Sequence, residues 1–463
     1  MFAKRETPAP ILRTLLLVFV CFTLTSDGFL AWLYHLMQLD GVGNVEAITT
    51  GGGYACQAVG LALAAALLCW RPRTVQRPTL IAAVVAHLAC ALAAGTSGAP
   101  GMAIAFGFLM SLLCGFVAAF YLAALASHVP KQRRGLVFGG GYALSTAVTW
   151  LFAMVHGTLP ALGVSYELIW CAVFSAIAVI IVVRMDGLLP AASAQASETD
   201  AAERQPKLQL QRGMIALACI AVVLMSLMKG LSGGFPSADI GASVSLETTR
   251  LLYAVGLIGA GLVIDRNRTY GAVLCMAALI VPFAILALSS QPIPAAVLWA
   301  IDYLLFGFFS VFRVVLFADL AAESQRLELS GLGLLFGRIG DALGTFALLA
   351  LGANYIALVV EAAALFIATA FALARLTQQL YAAPPNPHAD STRQFDDFSR
   401  RYNLSRRECD MLRLVLERRT NPEIAEELVL SENTVKFHMR NLLKKTSCKN
   451  RAELIEQYEN QPK

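Results

Sequence analysis

The stretch Ser431–Thr446, SENTVKFHMRNLLKKT, lies near the C-terminus and carries two different faces when its residues are placed at helical spacing. Val435, Met439 and Leu442 share an apolar stripe, with His438 beside it. The opposite side, here called the basic face, consists of Asn433, Phe437, Arg440 and Lys444, with Lys436 on its flank. Such a face suits a helix in a DNA groove, where Lys and Arg contact phosphates and guanine edges. An amphipathic helix with a solvated charged face fits this stretch equally well.

The residues around this helix predict three further short helices. Ser405 and Glu408 have the spacing of a capping box, which starts the first of them. Asn421 is expected to cap the second helix, with Pro422 at its first helical position, where the missing N–H costs nothing. The turn into Ser431 and the start of the fourth helix are expected at Val429-Leu430 and Asn450-Arg451. Two helices joined by a tight turn within such a group indicate a helix-turn-helix domain.

A known family shares these residues across 400–463, with spacing that holds without a gap. The matching residues are Leu404-Ser405, Arg407-Glu408, Leu412, Asn421, Glu423-Ile424-Ala425, Leu428, Ser431, Thr434-Val435-Lys436, His438, Asn441, Lys445 and Asn450-Arg451. At these positions the chain resembles the LuxR-type (GerE-like) DNA-binding domain. It departs from that pattern at Arg418-Arg419-Thr420, where a glycine is usual, and at Thr446-Ser447, where Leu-Gly is common.

The resemblance implies double-stranded DNA as a partner and a role for individual side chains. Lys436, Phe437 and Arg440 would meet base edges, and Thr434 with the flanking basic residues would meet phosphates. The residues predicted to bind DNA are Asn433, Thr434, Lys436, Phe437, Arg440, Lys444, Lys445 and Arg451. In this family the fourth helix usually forms the dimer contact, which implies a homodimer on DNA. The excess of 14 Lys and Arg over 10 Asp and Glu in 400–463 is small, so the affinity is expected to be modest and salt-dependent.

The chain as a whole is too apolar for a soluble protein. Its 463 residues are 57% hydrophobic and 14% charged, with a mean hydropathy of +0.64, whereas soluble domains contain about 25% charged residues. A membrane-spanning helix needs about 20 mostly apolar residues. Twelve stretches meet this need, near 12–37, 51–70, 79–96, 101–127, 135–156, 166–184, 212–232, 246–264, 270–289, 294–318, 329–350 and 355–376.

Basic residues alternate along the connections between these stretches. One set of connections is rich in Lys and Arg, whereas the alternate set is nearly free of them, apart from Arg250. The basic set contains Arg71, Arg73, Arg77, Lys131, Arg133, Arg134, Arg184, Arg204, Lys207, Arg212, Arg266, Arg268 and Arg326. Because basic loops stay on the cytoplasmic side, we expect a multi-pass protein of the bacterial inner membrane, embedded in the lipid bilayer, with both termini in the cytoplasm.

The polar connection 185–211 divides the twelve predicted spans into two groups of six. Between the eighth and ninth spans lies Gly261-Leu-Val-Ile-Asp265-Arg266-Asn-Arg268, which resembles the G-x-x-x-D-R loop signature of the major facilitator superfamily. The copy expected in the first half is absent, because the connection 70–78 contains no Asp. The predicted fold class is therefore all-α, with a twelve-helix, six-plus-six, major-facilitator-like transmembrane bundle followed by a small soluble four-helix domain.

Three regions follow from these patterns. Residues 1–376 are predicted to form the membrane domain, 377–399 a polar, Pro-rich linker, and 400–463 the helix-turn-helix domain. Ionisable residues inside predicted spans are costly unless they face a cavity or a partner. Those predicted to line a central cavity for a small ligand or a proton are Asp27, Asp302, Arg313, Arg338 and Asp341. Ion pairs that only fix helix packing, such as Arg338 with Asp341, explain them equally well.

Several classes of chemistry find no support in the residues. The ten cysteines occur singly, and the sequence contains no nucleophile–base set, metal-ligand spacing or phosphate loop. We therefore expect no enzyme activity, no metal and no cofactor. The favoured interpretation is a membrane-bound transcription regulator whose membrane domain senses a small molecule or a membrane signal. The alternative is a secondary transporter of the major facilitator type with a regulatory C-terminal domain.

Overall fold

The structure is a computed structural model that describes residues 8–71, 76–153, 158–159, 164–184, 212–232, 246–287, 292–351, 354–381 and 387–459. Within this part of the chain nearly all residues are helical. Its one sheet is an antiparallel pair of two-residue strands, β1 (Thr158–Leu159) and β2 (Val164–Ser165). The chain separates into two compact units, Met1–Tyr381 and Ala382–Lys463. The all-α fold class predicted from the sequence is confirmed.

The described part of the first unit contains twelve long helices, one for each predicted span. They are α1 (Pro8–Gln38), α2 (Gly53–Trp70), α3 (Arg77–Thr96), α4 (Pro100–His128), α5 (Arg134–Ala153), α6 (Tyr166–Arg184), α7 (Arg212–Ser232), α8 (Leu246–Arg266), α9 (Arg268–Ala287), α10 (Pro292–Ser324), α11 (Leu332–Leu351) and α12 (Tyr355–Tyr381). A π-helical segment, Ala47–Gly52, leads directly into α2. Ten of these helical segments are long and apolar enough to cross a membrane, the exceptions being α8 and α9. The unit therefore has the form of a multi-pass membrane domain.

The two groups of six helices meet where α5 packs along α8 and α2 packs along α11. Glycine makes the first of these contacts close. A Cβ atom on Gly135 would lie 2.7 Å from the carbonyl oxygen of Gly261, and one on Gly261 would lie 2.6 Å from that of Gly135. Real Cβ atoms essentially never come so near a backbone atom, so larger residues here would push the helices apart.

The Gly261–Arg268 motif joins the two groups of helices. The Asp265 carboxylate accepts hydrogen bonds from the backbone N–H groups of Gly135 (2.7 Å) and Leu136 (2.8 Å), at the start of α5. The first N–H groups of a helix have no partner within it, so an acidic side chain there satisfies them and favours the positive end of the helix dipole. One residue of the second group thus caps a helix of the first.

A buried ionic network lies beside this cap. Asp319 of α10 accepts hydrogen bonds from Arg134 of α5 and from Arg268 of α9, each at 2.8 Å, and all three side chains are buried. Lys131 and Glu323 form a more exposed ion pair at 2.5 Å. Asp319 therefore holds one arginine from each group of helices. Because a buried carboxylate and its cations compensate one another, we expect the network to depend strongly on each member.

The second unit consists of five short helices in its described part. They are α13 (Pro387–Arg401), α14 (Arg406–Leu416), α15 (Asn421–Glu427), α16 (Glu432–Thr446) and α17 (Arg451–Glu459). The four helices predicted for 400–463 are present, and α13 is an addition. It occupies much of the segment expected to be a linker, and α12 extends into the start of that segment. Although the segment is polar overall, Phe398 of α13 is buried in the second unit. Its ring centroid lies 4.7 Å from that of Tyr402 and 5.3 Å from that of Tyr458.

Candidate nucleic-acid interface and membrane cavity

The apolar stripe of α16 is buried in the core of the second unit, as its spacing predicts. Val435 and Leu442 are fully buried and Met439 is nearly so. They belong to one apolar cluster with side chains from the other helices of the unit. The buried members of that cluster are Phe398, Met411, Leu412, Leu414, Val415, Ile424, Ala425, Val435, Met439, Leu442, Cys448 and Leu454. This packing holds α16 so that its opposite side faces outward.

Hydrogen bonds define where the helices of this unit begin. The predicted capping box is present at α14, where Glu408 accepts from the Ser405 N–H at 2.7 Å and donates its own N–H to Ser405 Oγ at 3.4 Å. At α15 the predicted cap is wrong, because the N-cap is Thr420 rather than Asn421. Glu423 accepts from the Thr420 N–H at 2.6 Å and from its hydroxyl at 2.8 Å. The Thr420–Glu423 spacing makes a second capping box, which satisfies donors that Asn421 cannot reach from inside the helix.

The basic face of α16 is exposed along the length of the helix. Its members Asn433, Lys436, Phe437, Arg440 and Lys444 are all exposed, and the side chain of Phe437 is 59% exposed. Thr434 lies at the start of the helix, where its N–H and hydroxyl contact Ser431 Oγ at 3.1 and 2.8 Å. Asn433, Lys436, Phe437, Arg440 and Lys444 therefore come together on one side of α16, and Thr434 lies at the edge of that side.

A groove of about 420 Å³ runs beside the basic face. It is lined by Asn421, Lys436, Met439, Arg440, Leu443, Lys444, Cys448 and Lys449. Among its polar and charged lining residues, Asn421 and Lys449 are not in the set of DNA contacts predicted from the sequence. The groove adds a fourth basic residue to the three on the helix, an arrangement that suits a polyanionic backbone.

Lys445 lies away from the basic face. It follows Lys436 by nine residues, which at 3.6 residues per turn places it on the opposite side of the helix. Its ammonium group donates to the Glu408 carboxylate at 2.7 Å and to the carbonyl oxygen of Asn403 at 2.9 Å. Lys445 therefore ties α16 to the start of α14. Arg451, the other predicted contact outside α16, is partly buried at the start of α17.

The environment of Glu408 favours its charged form. Burial raises the pKa of this carboxyl, but the hydrogen bonds from Lys445 and from the backbone N–H of Ser405 outweigh burial and hold the pKa below its usual range. A carboxyl with a lowered pKa in the folded state stabilises that state above its unfolded pKa of about 4.3. This stabilisation is lost as the pH falls through the lowered value.

Replacing Glu408 by Gln should therefore destabilise the second unit at neutral pH by about 1–2 kcal/mol, because a charge-assisted hydrogen bond is lost. The difference from wild type should shrink as the pH falls below about 4.3 towards the lowered pKa of the folded carboxyl, because the stabilisation by its charge is lost over that range. Hydrogen exchange of the α14 and α16 amides in the full-length protein measures the change. Asp410→Asn is the control, because Asp410 pairs with Arg407 only at 3.8 Å on the surface. Equal protection in the Glu408 variant and wild type would refute this role.

Two positions that depart from the family pattern adopt left-handed backbone conformations. Arg418, after α14, has φ of 60°, and Ser447, which ends α16, has φ of 57°. Left-handed residues commonly end helices, and glycine is favoured there because it has no Cβ. At both positions a larger residue stands where glycine is usual in the family, and the backbone still has the left-handed conformation that glycine favours.

In the first unit, a cavity of about 300 Å³ lies between the two groups of helices. Aromatic rings, hydroxyl groups and one guanidinium group make up most of its wall. The lining includes Phe22, Thr25, Ser26, Phe29, Tyr54, Gln57, Tyr121, Tyr142, Thr146, Thr149, Tyr253, Tyr303 and Arg338. Of the residues predicted for a cavity, Arg338 lines this one, and the other four are absent from its described lining. Its five tyrosines come from different helices, so no local pattern in the sequence could have indicated them.

Asp341 is the centre of a buried ionic cluster next to this cavity. The predicted pair with Arg338 is present at 3.2 Å. Arg313 of α10 and Lys229 of α7 also approach Asp341, at 3.5 and 3.3 Å. The sequence indicated Arg313 as a separate cavity residue, whereas the structure brings it to the same carboxylate. The cluster therefore links helices through ion pairs and also contributes Arg338 to the cavity wall.

Asp27 and Asp302 are buried elsewhere in the first unit. Each has one carboxylate oxygen that makes no hydrogen bond with the described residues. Neither forms an ion pair within the described part of the chain, and so they remain separate from the Asp341 cluster. In the same part of the chain, no group of three or more His, Cys, Asp or Glu side chains is placed to hold a metal ion.

The first unit shares its fold with a solved transporter structure. The human organic anion transporter MFSD10 (TETRAN) matches with a TM-score of 0.57 over 81% of this chain and 100% of that chain. The two sequences are 16% identical over the match. At this identity the likeness shows the fold alone. It supports the major-facilitator-like architecture predicted from the six-plus-six pattern.

The second unit matches a family by sequence. The family described as bacterial regulatory proteins, luxR family, matches residues 402–457. Regulatory protein SdiA of Escherichia coli (strain K12) is 44% identical over 52 residues, which span 11% of this chain and 22% of SdiA. Spore germination protein GerE of Bacillus subtilis (strain 168) is 34% identical over 59 residues, which span 13% of this chain and 80% of GerE. Through its C-terminal domain, the chain belongs to the luxR family of bacterial regulatory proteins.

Proposed function

We propose that this protein is a membrane-embedded transcription regulator that binds specific sequences in double-stranded DNA. The observation that carries the proposal is the exposed basic face of a luxR-family helix in a chain that also contains a multi-pass membrane domain. Lys436, Phe437 and Arg440 read base edges, with Phe437 suited to the methyl group of thymine. Asn433, Thr434 and Lys444 contact the DNA around them, and Lys449 and Arg451 approach phosphates.

The regulator acts as a homodimer on DNA. Two recognition helices related by a twofold axis read two half-sites about 10 base pairs apart, and a dimer thereby doubles the contacted sequence. α17 carries the dimer contact. Both chain termini lie in the cytoplasm of the bacterial cell, since the basic connections of the membrane domain alternate in phase with its spans. The regulatory domain therefore reads the chromosome from the inner membrane.

The membrane domain acts as the sensor. Its cavity between the two groups of helices has the volume and the mixed aromatic and polar lining of a small-ligand site. A ligand that binds one arrangement of the two groups better than another shifts the population of that arrangement. α12 is the last helix of the sensor before the DNA-binding unit, and so it is the element through which the shift is transmitted.

The proposal is tested by selection of DNA from a random-sequence pool on the purified full-length protein. The expected product is a single motif with two related half-sites, whose binding weakens steeply as salt is raised. Recovery of random sequence from the wild-type protein, at a salt concentration at which non-specific binding is suppressed, would exclude sequence-specific regulation.

A transporter is the second candidate function, and the likeness of the first unit to a transporter fold favours it. Under this proposal the cavity carries a substrate, and the C-terminal domain adjusts transport or expression. Uptake of a cavity ligand into proteoliposomes, reduced by Asp27→Asn or Asp302→Asn, would support transport. Binding of the ligand without any uptake would leave sensing as the role of the cavity.

A further inference from the structure

The charges around Asp341 are unbalanced. Lys229, Arg313 and Arg338 all place a nitrogen atom within 3.5 Å of its carboxylate. A single carboxylate offsets one of the two arginines, Arg313 and Arg338, and leaves an excess of positive charge among apolar helices. Such an excess is costly unless an anion compensates it. The other buried carboxylates of the region, those of Asp27 and Asp302, form no ion pair with these cations in the described structure.

Arg338 is the cation of this cluster that lines the cavity. Its guanidinium carbon lies 4.2 Å from the ring centroid of Tyr54, and one of its terminal nitrogens contacts Asp341. Among the described residues, its guanidinium group donates a hydrogen bond to Asp341 alone. A guanidinium group donates five N–H bonds in a planar fork that matches a carboxylate. Arg338 therefore retains donors for an anion that enters the cavity.

The remaining cavity wall presents flat rings. The ring of Tyr142 stacks on Phe22 with centroids 4.2 Å apart and planes at 20°, and it meets Tyr253 edge-on at 5.6 Å. The ring of Tyr121 also lies 5.4 Å from that of Phe22. Such walls favour a planar ligand, which gains offset-stacked or edge-on contacts. A cavity of about 300 Å³ is at the small end of ligand sites, so it suits a ligand of about one ring.

We propose that the cavity binds a small organic anion in which a carboxylate is joined to a single flat ring. The carboxylate contacts Arg338 and offsets the excess charge around Asp341. The ring lies against Tyr54 and the Phe22–Tyr142 stack. This inference deepens the proposed sensing function, on which it rests for the role of the cavity as a ligand site.

Benzoate tests the proposal, with benzamide as a neutral compound of nearly the same shape. Binding of each is measured by calorimetry on the full-length protein in lipid nanodiscs. Benzoate is expected to bind at least about tenfold more tightly than benzamide, because hydrogen bonds to a charged group are lost in the amide. Acetate, which lacks the ring, is expected to bind more weakly than benzoate. Equal binding of benzoate and benzamide, or no detectable benzoate binding, would overturn the proposal.

Substitutions at Arg338 provide the second test. Arg338→Gln should weaken benzoate at least about tenfold and leave benzamide unchanged, while Arg338→Lys should retain part of the benzoate affinity. The Gln variant keeps Lys229 and Arg313 on Asp341, so its carboxylate stays paired. Arg375→Gln is the matched control, because Arg375 is exposed on α12 and contacts Phe371 outside the cavity. Unchanged benzoate affinity in Arg338→Gln would contradict the proposal. If this variant does not fold, the comparison of benzoate with benzamide on the wild-type protein still tests the proposal.

Different measurements test the ligand site and the proposed regulatory function. Benzoate binding that depends on Arg338 supports the site even where the protein's affinity for its selected DNA is the same with and without benzoate. A DNA affinity that does not change with benzoate would exclude a sensing role for the cavity. Failure of the full-length protein to select any DNA motif would remove the regulatory function and leave the cavity result intact.

Discussion

Replacing Lys436 and Arg440 together by alanine is expected to remove sequence-specific DNA binding by the full-length protein. Both side chains are exposed on the basic face of α16 and line the adjacent groove. A basic side chain on a base edge contributes about 1–3 kcal/mol of discrimination. Loss of two such contacts should weaken binding to the selected motif about 100-fold or more. The salt dependence of the remaining binding should also be shallower.

The matched control removes the same charge from another place in the domain. Arg400 and Arg401 are exposed at the end of α13, and their double replacement by alanine also removes two positive charges. Affinities of both variants for the selected motif are measured by fluorescence anisotropy at two salt concentrations. Equal losses in the two variants would mean that net charge, rather than the basic face, accounts for binding.

Replacing Asp319 by Asn is expected to destabilise the membrane domain by about 3–5 kcal/mol. Asp319 accepts from Arg134 and Arg268, and all three side chains are buried. The substitution leaves the buried Arg134 without a balancing charge and leaves Arg268 with Asp265 alone, at 3.1 Å, at the junction of the two groups of helices. Removal of one partner from a buried network is costly for this reason, even where the whole network contributes little net stability. The midpoint of thermal unfolding in detergent reports the loss.

Glu323→Gln is the control for this prediction, since Glu323 lies one turn further along the same helix. Its side chain is 29% exposed and pairs with Lys131, which is 42% exposed. An exposed pair contributes at most about 1 kcal/mol. A large fall in the midpoint is expected for Asp319→Asn and a small one for Glu323→Gln. Equal midpoints for the two variants would show that burial of the network carries no special cost.

Features that depend on local spacing were predictable. The apolar stripe of α16, the capping box at Ser405 and the twelve long helices described in the first unit all follow from periodicity, capping chemistry or length. A residue's neighbours along one helix decide these features. The basic face of α16 belongs to the same class, because residues three and four apart share a side of a helix.

Features that depend on contacts between helices were not predictable. Lys445 matched the family pattern and was predicted as a DNA contact, yet its ammonium group is held by Glu408, which is 37 residues away. Lys229 and Arg313 reach Asp341 from other helices, and so sequence reasoning found only the nearby Arg338. The helix α13 was missed because its few aromatic residues find their partners only in the folded domain.

The proposed regulator binds specific sites on the chromosome while it is embedded in the membrane. The DNA occupied by the full-length protein is mapped in intact cells to test this proposal. We expect discrete occupied sites that contain the motif selected in vitro. In the Lys436→Ala, Arg440→Ala double variant these sites should disappear while the protein remains in the membrane. Occupancy without discrete sites in the wild type, or sites that persist in the double variant, would contradict the proposal.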